Sequence, residues 1–268
     1  MNEISDARAV TTDFDVRWLD GGAVFTITRP RKMNAITKAV LEGLSACLDE
    51  LEAGRGRFLV IAGEGDRAFS AGTDLAEAAG MEEGPLKAKT EYAQALLYRL
   101  SRSPVLSVAA MNGSAYGGGL EFAMACTFRV AAPHIVMSMP EIKLGLLPSY
   151  GGTQFLPAIV GKAHALDLML TGRTISAREA LVIGLVNRIA ETPASTGEEA
   201  LALAQSTAAF SQPALTAIRR CVEAASDTVT EAGLAVERAE VNANKMTRDS
   251  KEGPKAFLEK RPPRWEHR

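Results

Sequence analysis

The first two thirds of the chain alternate short apolar runs with amphipathic segments. Apolar runs at residues 14–19 and 23–28 flank the tripeptide DGG, which predicts a β-hairpin whose glycines supply positive φ at the turn. After Thr37, a candidate helix cap, apolar residues recur at helical spacing, so a helix is predicted through about residue 53. Further strands are predicted at 57–62, 105–110, 127–131 and 135–138, with helices from Asp74, at 86–101 and at 118–125.

Helical patterns dominate the chain from residue 151 onward. Helices are predicted at 151–159, 162–170, 176–182, 197–208, 213–225, 228–247 and 250–259, with one strand in GLVNRI at 184–189. The change from alternating strands and helices to mainly helices predicts an α/β core over residues 1–190 and a C-terminal helical region over residues 191–268. A mobile loop is expected at 76–89, where glycines and acids cluster.

Composition and charge narrow the class of protein. The 268 residues carry a net charge of −2, which argues against nucleic acid as the main partner because phosphate binding needs a basic face. The three cysteines form no CxxC pair, and the polar N-terminal residues resemble neither a signal peptide nor an Arg-rich transit peptide. No apolar run reaches ~18 residues. We therefore expect a cytoplasmic protein without a membrane partner.

Several common cofactor and metal motifs are missing from the sequence. The three histidines lack metal-ligand spacing, so no metal site is predicted. There is no P-loop, and SAYGGGLE at residues 114–121 lacks the GxGxxG spacing of a dinucleotide site.

Two glycine-rich loops each lead into a predicted helix. They are RAFSAGTDLAEA at 67–78 and NGSAYGGGLEFA at 112–123. Backbone N–H groups at a helix N-terminus are unpaired and carry partial positive charge. Two such groups that converge on one point form an oxyanion hole, whereas tight turns alone are the alternative explanation for either loop.

Glu121 and Glu141 are the candidate acids and bases. Glu121 lies in a helix that is apolar on nearly all sides, where a carboxylate is costly unless it is hydrogen-bonded. A glutamate in a helix is more often a surface residue, but burial would raise the pKa of Glu121. Two buried carboxyls close together have separated pKa values and can act as acid and base.

Four segments in this order resemble the crotonase family, the enoyl-CoA hydratases and isomerases. They are RPRKMNAIT, AFSAGTDL, NGSAYGGGLEFAMAC and PEIKLGLLPSYGGTQFL, and the similarity runs from about residue 14 to 189 and resumes at EGPKAFLEKRPP. The resemblance implies a spiral of repeated ββα units with a C-terminal helical region that forms homotrimers or dimers of trimers.

The resemblance also implies chemistry and site residues. The substrate would be an acyl-CoA thioester, CoA would enter only as part of it, and no other cofactor is expected. The oxyanion donors match the backbone N–H groups of Thr73 and Gly118. Glu121 and Glu141 match the two glutamates of hydratases, the first as base and the second as acid, which implies an enoyl-CoA hydratase of fatty acid metabolism.

Further binding residues follow from the same resemblance. The predicted contacts to CoA and the acyl group are Arg31, Lys32, Ala35, Ala71, Asp74, Leu75, Gly117, Tyr150, Phe257 and Lys260. Arg29 is a further candidate for the phosphates, with ordinary surface charge as the alternative for all three cations. Ser149 and Tyr150 depart from the small residues common in hydratases, so Tyr150 either narrows the acyl pocket or donates a hydrogen bond.

Two other functions stay open at the level of sequence. A Δ3,Δ2-enoyl-CoA isomerase needs only one glutamate, and Glu141 alone would serve. A non-catalytic acyl-CoA-binding protein on the same scaffold is less favoured, because such proteins usually lose the acids that this chain retains.

Overall fold

The computed structural model describes residues 13–224 and 231–268, except for the side chains of residues 231, 233, 257 and 258. The chain divides into two compact units that meet in sequence between Gln205 and Ser206. The division at residue 190 into a core and a helical region stays a prediction. None of the helices in the described residues combines the length and apolar character needed to cross a membrane.

Within the described residues, the strands of the first unit form two sheets. Their bounds are β1 (Phe14–Leu19), β2 (Gly22–Ile27), β3 (Phe58–Gly63), β4 (Ala68–Ser70), β5 (Leu106–Met111), β6 (Ser114–Tyr116), β7 (Phe128–Ala131), β8 (Val136–Ser138), β9 (Ile175–Ser176) and β10 (Arg188–Ile189). The larger sheet has the order β1-β2-β3-β5-β7-β10 and the smaller the order β4-β6-β8-β9.

Successive strand pairs contribute one strand to each sheet. Strands β3, β5 and β7 are neighbours in the larger sheet, and the strand that follows each of them, β4, β6 or β8, lies in the smaller sheet. The pairings among these strands are parallel, whereas the β1–β2 hairpin and the β8–β9 pair are antiparallel. Because a helix follows each pair, the first unit consists of repeated ββα units, as predicted.

Helices connect and cover these sheets. They are α1 (Lys38–Glu50), α2 (Leu75–Ala79), α3 (Glu83–Arg102), α4 (Gly118–Ala125), α5 (Gly152–Thr171), α6 (Ala177–Val182) and α7 (Thr196–Ala208). Thr37 begins α1 as predicted, since its Oγ1 accepts from the N–H of Val40 at 3.3 Å. All six residues of β5 and all eight of α4 are buried, so these two elements lie in the core.

The two helices predicted at 151–159 and 162–170 are present as the two segments of α5, which are separated by the non-helical Gly161, where φ is +76°. The structure differs from the sequence-based elements in two places. The strands β4, β6 and β9 were not predicted, because two or three residues are too few to show a period. The segment at 76–89, expected to be a mobile loop, is mostly helical, since α2 ends at Ala79 and α3 begins at Glu83.

The second unit contains the helices α8 (Gln212–Glu223), α9 (Glu231–Lys245) and α10 (Asp249–Leu258). Residues 225 and 228–230 of the predicted helices lie outside the described part of the chain. The chain after α10 returns along that helix, because Asp249 accepts from the N–H of Glu266 at 2.7 Å and Glu252 pairs with Arg261 at 2.6 Å.

The end of β4 and the start of α4 approach each other so closely that only glycine fits. A Cβ placed on Gly119 would lie 2.2 Å from the carbonyl oxygen of Ser70. One placed on Gly72, where φ is +87°, would lie 2.9 Å from the nitrogen of Gly118. These glycines therefore do more than make tight turns, because they let two backbone segments touch.

We expect Gly119→Ala to lower the free energy of unfolding by about 2 kcal/mol or more, because the added methyl group overlaps backbone that cannot easily move. The matched control is Gly84→Ala, since Gly84 lies in α3 with no atom within 4 Å of the added Cβ. Alanine favours a helix over glycine, so the control should be neutral or stabilising by up to about 1 kcal/mol. Urea unfolding measures both, and equal effects would contradict the close approach.

Candidate active site

Thr73 presents an unpaired backbone N–H at the end of the first glycine loop. The flanking peptide groups are held, because Ile36 donates to the Gly72 carbonyl at 2.8 Å and Asp74 donates to the Ile36 carbonyl at 3.0 Å. The N–H of Thr73 has no acceptor among the residues that the structure describes. It is therefore a donor that is fixed in place and unpaired within the described residues.

Gly118 presents a second such donor at the first position of α4. Gly117 before it takes φ +48° and ψ −122° and donates to the Ser138 carbonyl at 3.0 Å. The Gly118 N–H has no acceptor in the described ranges, as expected for the first turn of a helix. A Cβ on Gly118 would lie 3.3 Å from the Thr73 nitrogen, so the structure brings the two predicted donors together.

The Thr73 loop is anchored by a chain of charged groups. Asp74 caps α2 by accepting from the N–H groups of Ala76 at 3.0 Å and Glu77 at 3.1 Å. Its other oxygen lies 2.8 Å from Arg29, which also lies 3.1 Å from Asp13. Asp74 and Arg29 are thus engaged in holding the loop, and contact of Asp74 with a ligand stays a prediction.

Glu121 is buried and accepts two backbone hydrogen bonds at the N-terminus of α5. Its Oε1 accepts from the N–H groups of Tyr150 at 2.8 Å and Gly152 at 2.6 Å, and the residue is 1% exposed. These donors and the positive end of α5 explain how a carboxylate is tolerated inside the apolar helix α4. The sequence indicated the burial of Glu121 but not this partner.

Burial sets the protonation of Glu121. Burial, assisted by the charge of Glu141, raises the pKa of Glu121 from 4.5 to about 7, against the opposing effect of the N–H groups of Gly152 and Tyr150. The influence of Glu141 means that the two carboxyl groups lie close enough to interact. Glu121 can therefore gain or lose a proton near neutral pH.

Glu141 begins a short 3-10 turn, Glu141–Leu144, directly after β8. Its Oε2 is buried without a hydrogen-bond partner in the described part of the chain, and burial raises the pKa of Glu141. A Cβ on Gly117 would lie 2.7 Å from its Oε1, which places the carboxyl beside the glycines of α4. An unpartnered buried oxygen is costly, so it indicates a place for a water or a ligand group.

Tyr150 lies between these parts of the site. It is 1% exposed, and its phenol oxygen accepts from the hydroxyl of Thr73 at 2.7 Å. Burial raises the pKa of Tyr150 to about 12, so the phenol is neutral under ordinary conditions. Of the two predicted roles, narrowing the acyl pocket and hydrogen bonding, the structure shows a hydrogen bond, in which Tyr150 accepts.

A buried ion pair beside α2 was not predicted. The side chain of Lys89 in α3 is 2% exposed and pairs with Glu77, whose other oxygen accepts from the N–H of Lys38 at 3.1 Å. This pair ties α2 to α1 and α3. Lys89 and Glu77 are twelve positions apart in sequence, and the residues between them carry no pattern from which the contact could be read.

The other predicted binding residues occupy different environments. Arg31, Lys32, Ala71 and Leu75 are exposed, and Ala35 and Gly117 are buried. Phe257 and Lys260 belong to the second unit, and the side chain of Phe257 lies outside the described residues. No group of three or more His, Cys, Asp or Glu residues suited to a metal ion occurs in the described ranges.

Comparison with known proteins finds relatives that match most of this chain. The sequence profile of the family described as Enoyl-CoA hydratase/isomerase matches residues 20–268. A protein named probable enoyl-CoA hydratase from Bacillus subtilis is 41% identical over 91% of this chain and 94% of its own length. The mitochondrial methylglutaconyl-CoA hydratase of Rattus norvegicus is 35% identical over 91% of this chain and 79% of its own.

Solved structures confirm the predicted fold class. The crystal structure of an enoyl-CoA hydratase from Bacillus anthracis superposes with a TM-score of 0.90 at 31% identity, covering 96% of this chain and all of that one. The predicted crotonase-like α/β fold with C-terminal helices is confirmed by this match.

The raised pKa of Glu121 makes a prediction about stability. Because its folded-state pKa of about 7 lies above the ordinary value of 4.5, the folded protein holds the proton more tightly than the unfolded chain. This contribution to stability is complete below about pH 4.5 and is lost as the pH rises through about 7. Glutamine at this position does not titrate.

We expect the free energy of unfolding of the wild type to fall by roughly 2–3 kcal/mol relative to Glu121→Gln between pH 5 and pH 8. Urea unfolding across this range measures the difference. Glu83→Gln at an exposed position of α3 serves as the control and should follow the wild type. Parallel curves for Glu121→Gln and the wild type would contradict the raised pKa.

Proposed function

We propose that this chain, which belongs to the enoyl-CoA hydratase/isomerase family, adds water across the 2,3 double bond of a trans-2-enoyl-CoA to give a 3-hydroxyacyl-CoA. The observation that carries the proposal is the pairing of two interacting carboxyls, the buried Glu121 and the partly buried Glu141, with two adjacent unpaired backbone donors. The names of the relatives support the same reaction.

The two donors would act on the thioester carbonyl. When water attacks C3, negative charge develops on the carbonyl oxygen as the thioester becomes an enolate. The N–H groups of Thr73 and Gly118 are already fixed and unpaired, so they stabilise that charge without reorganising. In other enzymes one such donor is worth about 3–4 kcal/mol in the transition state.

The two carboxyls would act on the water. Glu121 accepts a proton as the water oxygen bonds to C3, and Glu141 delivers a proton to C2 as the enolate collapses. A pKa of about 7 suits Glu121 to a base near neutral pH. The unpartnered Oε2 of Glu141 is available to hold the water before the reaction. Protonation belongs to the pair, because the two groups influence each other.

The substrate would carry CoA with it, and the reaction needs no further cofactor. Its phosphates require cations, for which the exposed Arg31 and Lys32 are available, whereas Arg29 is engaged by Asp13 and Asp74. Ala35, Ala71, Asp74, Leu75 and Gly117 complete the proposed path for pantetheine and the acyl group. Phe257 and Lys260 are proposed to contact the nucleotide.

The proposal extends to assembly and cellular role. We infer a homotrimer or a dimer of trimers that works in the cytoplasm in fatty acid metabolism. Exposed apolar side chains of the second unit support self-association, since Ile218 and Val222 in α8 are 61% and 68% exposed. The free cysteines Cys47, Cys126 and Cys221 support the cytoplasm, because its reducing conditions keep thiols unpaired.

One observation favours the isomerase as the second candidate. Both backbone hydrogen bonds to Glu121 reach the same carboxylate oxygen at the start of α5, which is the arrangement of a structural cap. If Glu121 only caps α5, Glu141 remains as the single proton carrier. That is sufficient to move a double bond from the 3 to the 2 position.

The test is turnover of crotonyl-CoA and a 3-enoyl-CoA by the wild type, Glu121→Gln, Glu141→Gln and the control Glu83→Gln. For a hydratase we expect loss of enoyl absorbance with gain of one water by mass, and a fall of ~100-fold or more in either site variant. Acyl-CoA binding, measured by calorimetry, should persist in both. Double-bond migration without water gain, retained in Glu121→Gln and lost in Glu141→Gln, would establish the isomerase instead.

A further inference from the structure

We propose that Tyr150 is a positioning residue that sets the oxyanion donor of Thr73 relative to the carboxylate of Glu121. The proposal rests on the hydratase function inferred above. Tyr150 is buried and connects the two groups through its main chain, its hydroxyl group and its ring.

The main chain of Tyr150 is fixed to the catalytic carboxylate. Its N–H donates to Oε1 of Glu121 at 2.8 Å, next to the donation from Gly152 at 2.6 Å. Gly151 between them takes φ +112°, a conformation that turns successive N–H groups toward one acceptor. Any shift of this turn would therefore displace the carboxylate.

The hydroxyl group of Tyr150 reaches the donor loop. Its phenol oxygen accepts from Oγ1 of Thr73 at 2.7 Å, a separation typical of a well-formed hydroxyl hydrogen bond. Thr73 is β-branched, so its side chain has few rotamers and a fixed Oγ1 restrains its backbone. The N–H that this backbone carries is the proposed oxyanion donor.

The ring of Tyr150 packs beside the second donor. A Cβ placed on Gly118 would lie 3.2 Å from both Cδ2 and Cε2 of the ring, and 3.3 Å from the Thr73 nitrogen. The absence of a side chain at Gly118 leaves the ring this space. Tyr150 thus bonds to Glu121 and Thr73 and lies beside Gly118. Only two side-chain torsions of a tyrosine can change to loosen this link.

A purely structural role predicts a different result from a positioning role. Loss of packing lowers stability, whereas loss of positioning lowers transition-state stabilisation and leaves ground-state binding intact, so kcat falls and KM does not. The hydroxyl groups of Thr73 and Tyr150 form one hydrogen bond. Removing either hydroxyl should break this bond, so removing both should lower kcat no further than removing one.

The experiment compares Tyr150→Phe, Thr73→Val, the double variant and Thr73→Ser on crotonyl-CoA. We expect each of the first two to lower kcat by about tenfold, as for one lost hydrogen bond, with KM changed less than about twofold. The double variant should match the single variants. Thr73→Ser, which retains the hydroxyl, should retain most of the kcat that Thr73→Val loses.

Thermal unfolding of each variant checks that the fold is intact. If Tyr150→Phe does not fold, the comparison of Thr73→Val with Thr73→Ser alone decides whether the positioning role holds. Multiplying effects in the double variant, an unchanged kcat, or equal losses in Thr73→Val and Thr73→Ser would overturn the positioning role. The wild type is measured first. If the wild type adds no water to crotonyl-CoA, the proposed hydratase function is wrong, and the positioning role is wrong with it. If the wild type hydrates crotonyl-CoA, the hydratase function holds, and the variants then test the positioning role alone.

Discussion

The site depends on a contact between two backbones with no side chain between them. The end of β4 meets the start of α4 where Gly72 and Gly119 leave no space for a methyl group and Gly118 leaves little. Because the segments touch there, the unpaired N–H groups of Thr73 and Gly118 become neighbours. The ββα repeat provides this geometry, since β4 and β6 pair in the smaller sheet and each leads into a helix.

The candidate catalytic carboxylates, Glu121 and Glu141, are held by the same elements that form the core. Glu121 in α4 accepts from the first turn of α5, so one interaction caps a helix and orients a candidate base. Glu141 follows β8, the next strand of the smaller sheet, and its Oε2 is left without a protein partner in the described residues. The cost of burying both groups appears in the raised pKa values of Glu121 and Glu141.

The sequence pattern predicted those elements that depend on residues close together in the chain. The hairpin at 14–28, the Thr37 cap and helix 118–125 were predicted because each depends on neighbours in sequence. The short strands β4, β6 and β9 were missed, and the partner of Glu121 and the Lys89–Glu77 pair could not be read, because they depend on contacts distant in sequence. The candidate site residues came from glycine loops, a buried acid and family resemblance, which identify residues but not the distances between them.

The first structure to determine is a crystal structure of Glu121→Gln with a bound trans-2-enoyl-CoA, because we expect this substitution to slow turnover while the donors remain. If Thr73 and Gly118 form the oxyanion hole, the thioester oxygen will lie within about 3.2 Å of both of their nitrogens. A water bound to Oε2 of Glu141 will lie on the side of C3. A thioester oxygen that contacts neither nitrogen would exclude these two N–H groups as the oxyanion hole.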